Sequence, residues 1–244
     1  PTYEFTADLR VSSDPKLAIE AIAEAARELL GDGDKSRIAA RIARLTEAST
    51  AHVASIEEEA KSQSDSDPIS PIWVSYQIGQ LVDDNTIILD ETLPTPRMRE
   101  YMPNDRPGSY FSNPGSSGGW SPGAALGAKL AAPHKDIIAV TGDGFYMFGT
   151  PAPALWAAAH HDAPFMIVVF TNRSYTTGTS RIAATYGEEG YAKKAGFPGG
   201  YFDPPIDFAK EAEAAGAYGE TVTDPAEVGP ALRRGLEQTR AGKP

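Results

Sequence analysis

Cysteine is absent from all 244 residues, which removes structural disulfides, thiolate metal sites and cysteine nucleophiles together and fits a reducing, cytoplasmic setting. Long apolar runs are missing as well. None approaches the roughly 18 to 20 residues that span a bilayer, and the first ten residues, PTYEFTADLR, lack the basic and then apolar order of a signal peptide. A soluble protein without a membrane partner is expected. Basic residues are outnumbered, 22 against 33 acidic, for a net charge of −11, and they are scattered, so the chain has no footprint for a phosphate backbone and no nucleic-acid partner is expected. No repeats or low-complexity tracts occur. No GxGxxG opens a helix after the first strand, which argues against an ordinary dinucleotide-binding module.

What is present divides in two. Residues 1–66 hold an extended stretch, Tyr3 to Val11, then a helical pattern opened by Asp14 and Pro15 and running to about Leu30. A second helix is expected from about Lys35 to Lys61, with Ile38, Ile42, Leu45, Val53 and Ile56 at helical spacing, until SQSDSDP breaks it. That polar break is the expected domain boundary, giving domains 1–66 and 67–244.

Beyond Asp67, short apolar runs alternate with helices. Helices are expected over Ile72–Val82, Ser121–Ala132, Pro151–His160, Asp207–Ala215 and Pro225 to about Thr239. Strands are expected at Thr86–Leu89, Ile137–Thr141 and Phe165–Phe170, with a short one near Glu220–Val222. Such alternation indicates an α/β fold, a parallel sheet with helices on both faces, whose ligands sit at the carboxyl ends of the strands. Arg173–Pro205 has little periodicity, and a loop of that length is usually functional. A further strand is expected after the last helix, where the sequence reads AGKP; either it is supplied elsewhere or the chain is a fragment.

Directly after the strand IIAV come Thr141, Gly142, Asp143 and Gly144. Glycines on both sides let the backbone turn and let a phosphate approach its N–H groups, while the carboxylate offers a hard oxygen ligand. By itself GDG marks a turn. The next strand ends in Thr171-Asn172-Arg173-Ser174-Tyr175, so an amide oxygen and a freed carbonyl appear at the adjacent strand end. One carboxylate, one amide, one main-chain carbonyl and two phosphate oxygens suit an octahedral Mg²⁺ that bridges a diphosphate.

A strand ending in GDG, a helix, a second strand and then Asn, with 27 residues between GDG and that Asn, resembles the cofactor signature of thiamine-diphosphate enzymes. Residues 1–66 resemble the tail of the middle domain and the connecting segment of the acetolactate synthase and benzoylformate decarboxylase group. Residues 67–240 resemble its diphosphate-binding half, including PISPIWVS, ILDET, RPGSYF, NPGSSGGW and GAALGAKLAAP. The resemblance implies a thiamine-diphosphate-binding fold preceded by a helical remnant of a middle domain. It makes Asp143, Asn172 and the carbonyl of Ser174 ligands of Mg²⁺. It sets Gly142, Gly144, Phe145, Glu91, Thr92 and Tyr175 beside the diphosphate, and passes Ser116, Ser117 and Gly118 under the aminopyrimidine.

Three positions depart from the family pattern. Phe145 replaces a small hydroxyl residue, Thr171 stands where many members have Asn, and Gly118 stands where an apolar side chain usually props the bent cofactor. Trp120 or another residue then substitutes for that prop, or catalysis is weak, or the register differs by a residue or two. The activating glutamate of the family lies on a pyrimidine-binding domain that nothing here resembles, so Glu91, Glu188 and Glu189 are not assigned that role and no catalytic residue is named. A partner chain carrying that domain, in a hetero-oligomer, is implied. The implied activity is decarboxylation or carbon–carbon lyase chemistry on a 2-oxo acid, closer to benzoylformate decarboxylase. An acetolactate-synthase-like carboligase and a non-catalytic cofactor-binding subunit remain as alternatives. His160 and His161 read as helix-end cations; Tyr175, Thr176 and Thr177 follow the metal loop as candidates for the substrate pocket.

Overall fold

The computed structural model describes residues 6–93, 96–103, 105–113 and 118–244. The chain falls into two compact units, Pro1–Ser55 and Ile56–Pro244. No helix among the described residues is long and apolar enough to cross a membrane.

The first unit holds α1 (Pro15–Leu29) and most of α2 (Asp32–Lys61). Asp14 caps α1 by accepting from the Leu17 amide at 3.1 Å, with Pro15 in the first turn, where its missing N–H costs nothing. Asp32 and Asp34 begin α2, acids at the end where the helix dipole favours them. No residue of α1 is buried, and Leu17, Ile22, Ile42 and Leu45 all stay exposed. Apolar residues are spaced here as if for a core, yet the described residues of the unit build none.

In the second unit the last turns of α2 become buried at Ile56 and Ala60. Glu59 accepts two hydrogen bonds from Arg97, at 2.8 and 2.9 Å, and the Tyr76 hydroxyl donates to Glu57 at 3.2 Å. Ser70 then caps α3 (Pro71–Gly79) through the Ile72 amide, again with proline in the first turn.

Four strands follow: β1 (Thr86–Glu91), β2 (Tyr110–Ser112), β3 (Asp136–Gly142) and β4 (Met166–Phe170). They form one sheet in the order β2-β1-β3-β4, and every pairing is parallel. Ile88 lies opposite Ile138 and Leu89 opposite Ala139. Because successive side chains alternate across a strand, this register sorts the sheet into two faces. Ile88, Ile138 and Val140 pack with Ile78 of α3 and with Val228, Leu232 and Leu236 of α10 (Val228–Arg240). Leu89, Ile137 and Ala139 pack on the other face with Ala125 of α4 (Ser121–Ala131), Leu155 and Ala158 of α6 (Pro151–His160), and Ala212 of α9 (Phe208–Ala214). Alanine at Ala125, Ala158 and Ala212 lets these helices approach the sheet closely. The expected α/β layering is present, with helices on both faces.

Three local expectations are corrected, and one strand was not foreseen. GDG opens a helix, α5 (Asp143–Phe148), rather than a turn alone. Residues 173–205 are not an irregular loop but contain α7 (Thr176–Tyr186) and α8 (Tyr191–Lys194). Residues 220–222 form no strand: Glu220 is held by Arg234 of α10 at 2.5 Å and Val222 packs on the core, so side chains rather than a ladder anchor the segment. β2, three residues long and partly exposed, carried too little pattern to be expected at all.

Candidate functional site

Parallel pairing brings the carboxyl ends of β1, β3 and β4 to one rim: Glu91 lies opposite Thr141, and Gly142 opposite Phe170. The residues singled out at these strand ends, Glu91, Gly142, Asp143, Gly144 and Phe145, therefore meet the 171–175 segment along it.

Asp143 is the pivot of the rim. It is buried at 3% exposure, and its Oδ2 accepts from the Asn172 amide at 2.9 Å, the Arg173 amide at 2.6 Å and the Thr171 hydroxyl at 3.2 Å. Its Oδ1 takes one bond, from the Gly144 amide at 2.8 Å. With one donor against the three on Oδ2, Oδ1 is the oxygen with a lone pair left for a cation. Asn172 folds over itself, its Oδ1 accepting from the Ser174 amide at 3.0 Å, the local turn that asparagine side chains favour. Arg173 adopts a left-handed φ of 58°, which turns its N–H toward Asp143 and lets its carbonyl accept from Phe202 at 2.9 Å. The Tyr175 amide donates to the Gly200 carbonyl at 2.9 Å, so Ser174 and Tyr201 form an isolated antiparallel bridge. Among the described residues the carbonyl of buried Ser174 receives no hydrogen bond. Asp143 Oδ1, Asn172 Oδ1 and that carbonyl are three hard oxygens, the donor class that Mg²⁺ accepts together with phosphate oxygens. No group of three or more His, Cys, Asp or Glu stands together among the described residues, which leaves these mixed oxygens as the metal candidates.

Glu91 does something else. Its buried carboxylate accepts from the Trp120 amide at 2.7 Å and Asn113 Nδ2 at 3.0 Å through Oε1, and from the Ser121 amide at 2.9 Å through Oε2, with Thr141 Oγ1 at 3.4 Å. Trp120 is the N-cap of α4 and gives no side-chain cap. Glu91 supplies that cap from another strand, an anion at the positive end of a helix. Thr92 turns back on Asp90, donating to it from its amide at 2.8 Å and its hydroxyl at 2.6 Å. The other oxygen of Asp90 accepts from the Tyr110 hydroxyl, and burial first, then this hydrogen bond, pushes the phenol well above its ordinary range. Glu91 and Thr92 both sit at the rim, yet their side chains are engaged within the protein, Glu91 as acceptor and Thr92 as donor to Asp90. Ser116 and Ser117 lie outside the described residues.

Aromatic rings surround the pivot. Tyr175 lies against Gly144, where an added Cβ would come within 2.8 Å of its Cδ1. The same ring meets Phe148 at 5.7 Å and stands edge-on to Phe202 at 4.8 Å. Phe145 lies against Gly118. Asn113, Phe148 and Phe202 were not readable as site residues from sequence: a lone asparagine and surface-spaced aromatics carry no motif. His160 stacks on exposed Trp156 at 5.1 Å with His161 edge-on to it, and neither bonds to a rim residue among those described.

Comparison with known proteins gives the following. The sequence profile described as thiamine pyrophosphate enzyme, C-terminal TPP binding domain, matches residues 95–242. A probable acetolactate synthase large subunit from Methanococcus aeolicus is 27% identical over 176 residues, 69% of this chain and 28% of that protein. A sulfoacetaldehyde acetyltransferase from Alcaligenes xylosoxydans xylosoxydans is 33% identical over 146 residues, 59% of this chain and 22% of that protein. Among solved structures, the thiamine diphosphate-dependent 4-hydroxybenzoylformate decarboxylase of Rhodococcus jostii RHA1 superposes with a TM-score of 0.59 at 28% identity, covering 70% of this chain and 31% of that one. The benzoylformate decarboxylase of Polynucleobacter necessarius gives a TM-score of 0.60 at 18% identity, over 70% of this chain and 32% of that one, a likeness of fold. The chain thus spans less than a third of the length of these proteins.

Proposed function

Because the chain belongs to the thiamine pyrophosphate enzymes, through their C-terminal TPP-binding domain, we propose that it supplies the diphosphate- and Mg²⁺-holding half of a decarboxylase or carbon–carbon lyase acting on a 2-oxo acid. The observation that carries this reading is the Asp143 pivot: one carboxylate that fixes the 172–173 backbone through Oδ2, keeps Oδ1 with a single donor, and so ties itself to the segment that carries an amide oxygen and an unclaimed carbonyl.

In this reading Asp143, Asn172 and the Ser174 carbonyl would hold the metal, which would supply charge neutralisation for a bound diphosphate. Gly142, Gly144 and Phe145 bring backbone close to the phosphates, and Tyr175 walls the site on the Gly144 side. Thiamine diphosphate, when bound, supplies the electron sink for cleavage next to a 2-oxo group. The chain's own part is to bind and orient: the Asp143 bonds set the ligands before the metal arrives, and the ring of Tyr175 keeps water from one flank. The proton-transferring glutamate comes from a pyrimidine-binding domain outside these residues, on a partner chain in a hetero-oligomer.

Benzoylformate-like substrates are favoured by the structural likeness to a 4-hydroxybenzoylformate decarboxylase at 28% identity. Carboligation is the second reading, favoured by the acetolactate synthase and acetyltransferase relatives. The test is thiamine diphosphate content of the native particle with and without EDTA, followed by turnover of benzoylformate and pyruvate. Metal-dependent cofactor and carbon dioxide release are expected. A native particle that never retains the cofactor overturns the reading, and one that binds it in a metal-dependent way but turns over neither acid is a cofactor-binding subunit.

A further inference from the structure

The glycines at 118 and 119 are neighbours with different reasons to be glycine. Gly119 has a φ of 94°, and a Cβ there would come within 2.6 Å of the Phe148 and Gly149 backbone. Both conformation and space demand glycine. Gly118 is not in the left-handed region, and the three nearest atoms that a Cβ there would meet all belong to one side chain, the Phe145 ring, with Cδ1 at 2.5 Å, Cε1 at 3.0 Å and Cγ at 3.4 Å. The backbone of residue 118 would accept a side chain; the ring of Phe145 already occupies its volume.

The spacing that lets this happen is fixed from both sides. Glu91 pins the segment at Trp120 and Ser121, and the contact of Gly119 with the end of α5 sets its distance from that helix. Of the residues that follow Gly144 in α5, Tyr146 is buried at 1% exposure and packs edge-on against Phe208, while Met147 and Phe148 are exposed. Phe145 alone is partly buried, with its ring against residue 118, two residues from the pivot carboxylate.

We propose that Phe145 is a positioning residue for the cofactor, its ring replacing a side chain at position 118 as the apolar surface on which a flat heterocycle rests. The inference builds on the reading that this domain holds thiamine diphosphate. A ring fixed beside a metal-held phosphate anchor gives what such a ligand needs beyond the anchor: a rigid apolar surface that sets where the heterocycle lies.

The test uses the full native assembly in excess Mg²⁺ and three variants, Phe145→Ser, Gly118→Leu and the two combined. Three quantities are read: the Kd for thiamine diphosphate by calorimetry, the near-ultraviolet circular dichroism of the bound cofactor, and the Tm without cofactor. Phe145→Ser is expected to weaken binding by about tenfold, ~1.4 kcal/mol, and to change the dichroism. Gly118→Leu alone is expected to lower the cofactor-free Tm, because leucine and the ring compete for one volume. The double variant is expected to recover both the Tm and the Kd, to within about threefold of the parent. Should Phe145→Ser not fold, Phe145→Leu is expected to bind with an intermediate Kd. Binding and dichroism unchanged in Phe145→Ser, or a double variant that regains Tm without regaining affinity, would make the ring mere packing and overturn the inference alone. A parent assembly that binds no thiamine diphosphate overturns the functional reading, and the inference with it.

Discussion

Two carboxylates organise the rim, and their surroundings set different tasks. Among the described residues Glu91 accepts from four donors: two backbone amides, the Asn113 amide group and the Thr141 hydroxyl. A glutamine there would turn an NH₂ toward donors inside a closed pocket, which costs a desolvated group and a charge-assisted cap together. Glu91→Gln is expected to lose about 2–4 kcal/mol of stability in urea unfolding, with the m-value unchanged. Asp143→Asn differs, because the amide oxygen can still take the three bonds now made to Oδ2, leaving only the Gly144 amide without its acceptor. A loss of only about 1–2 kcal/mol in stability is expected. Metal-dependent binding of thiamine diphosphate should fall by roughly a hundredfold or more in calorimetry, since a hard cation loses its anionic ligand. Acid stability belongs to this scale too. Arg234, as hydrogen-bond donor, holds the Glu220 carboxyl below its ordinary range. A depressed folded pKa gives stability that is complete above the unfolded value and fades as pH falls through the folded one. Melting curves from neutral pH down to about 3 should therefore show a smaller acid-induced drop for Glu220→Gln than for the parent.

The elements record which interactions a sequence displays openly. Asp14, read from sequence as a helix opener, caps α1, as Ser70 and Asp207 cap α3 and α9, and the apolar runs of β1, β3 and β4 became a parallel sheet because burial on both faces demands such runs. Periodicity failed where contacts across the fold decide. α7 reads TTGTSRIAATY, poor in helix formers, and it follows a segment shaped by Asp143 and by the Ser174–Tyr201 bridge, neither of which a local window contains. The α4 cap was illegible for the same reason, since its carboxylate lies 30 residues upstream of Ser121. At the site, the GDG and Asn motifs led to the pivot, but the engagement of Glu91 with protein donors and of Thr92 with the Asp90 carboxylate was visible only in three dimensions. α10 gives a plain test of the layering. Leu236 is buried between this helix and the sheet, so Leu236→Ala is expected to cost about 2–4 kcal/mol in chemical denaturation, a cavity effect.

At the scale of the whole chain, the two units differ in what holds them. Unit two has a core on each face of its sheet. Unit one has two helices whose apolar residues stay in water, and isolated helices of this length are marginal without packing. Hydrogen exchange of this chain alone is expected to show residues 15–55 trading amide protons far faster than β1 and β3, whose opening requires loss of the core. If these helices pack against a partner in the native assembly, protection there should rise on assembly while that of β3 stays constant. Unchanged exchange at 15–55 would remove this segment from any interface.

The shared volume of Phe145 and Gly118 also sets a rule for how such a sequence can drift. Enlarging residue 118 first drives a side chain into an aromatic ring that a pinned segment cannot escape. Shrinking residue 145 first opens a hole, costly but survivable, which a later side chain at 118 can fill. Descent through this pair is therefore ordered by cost: losing the ring first and enlarging residue 118 second is the easier order, and the opposite order passes through the less stable intermediate.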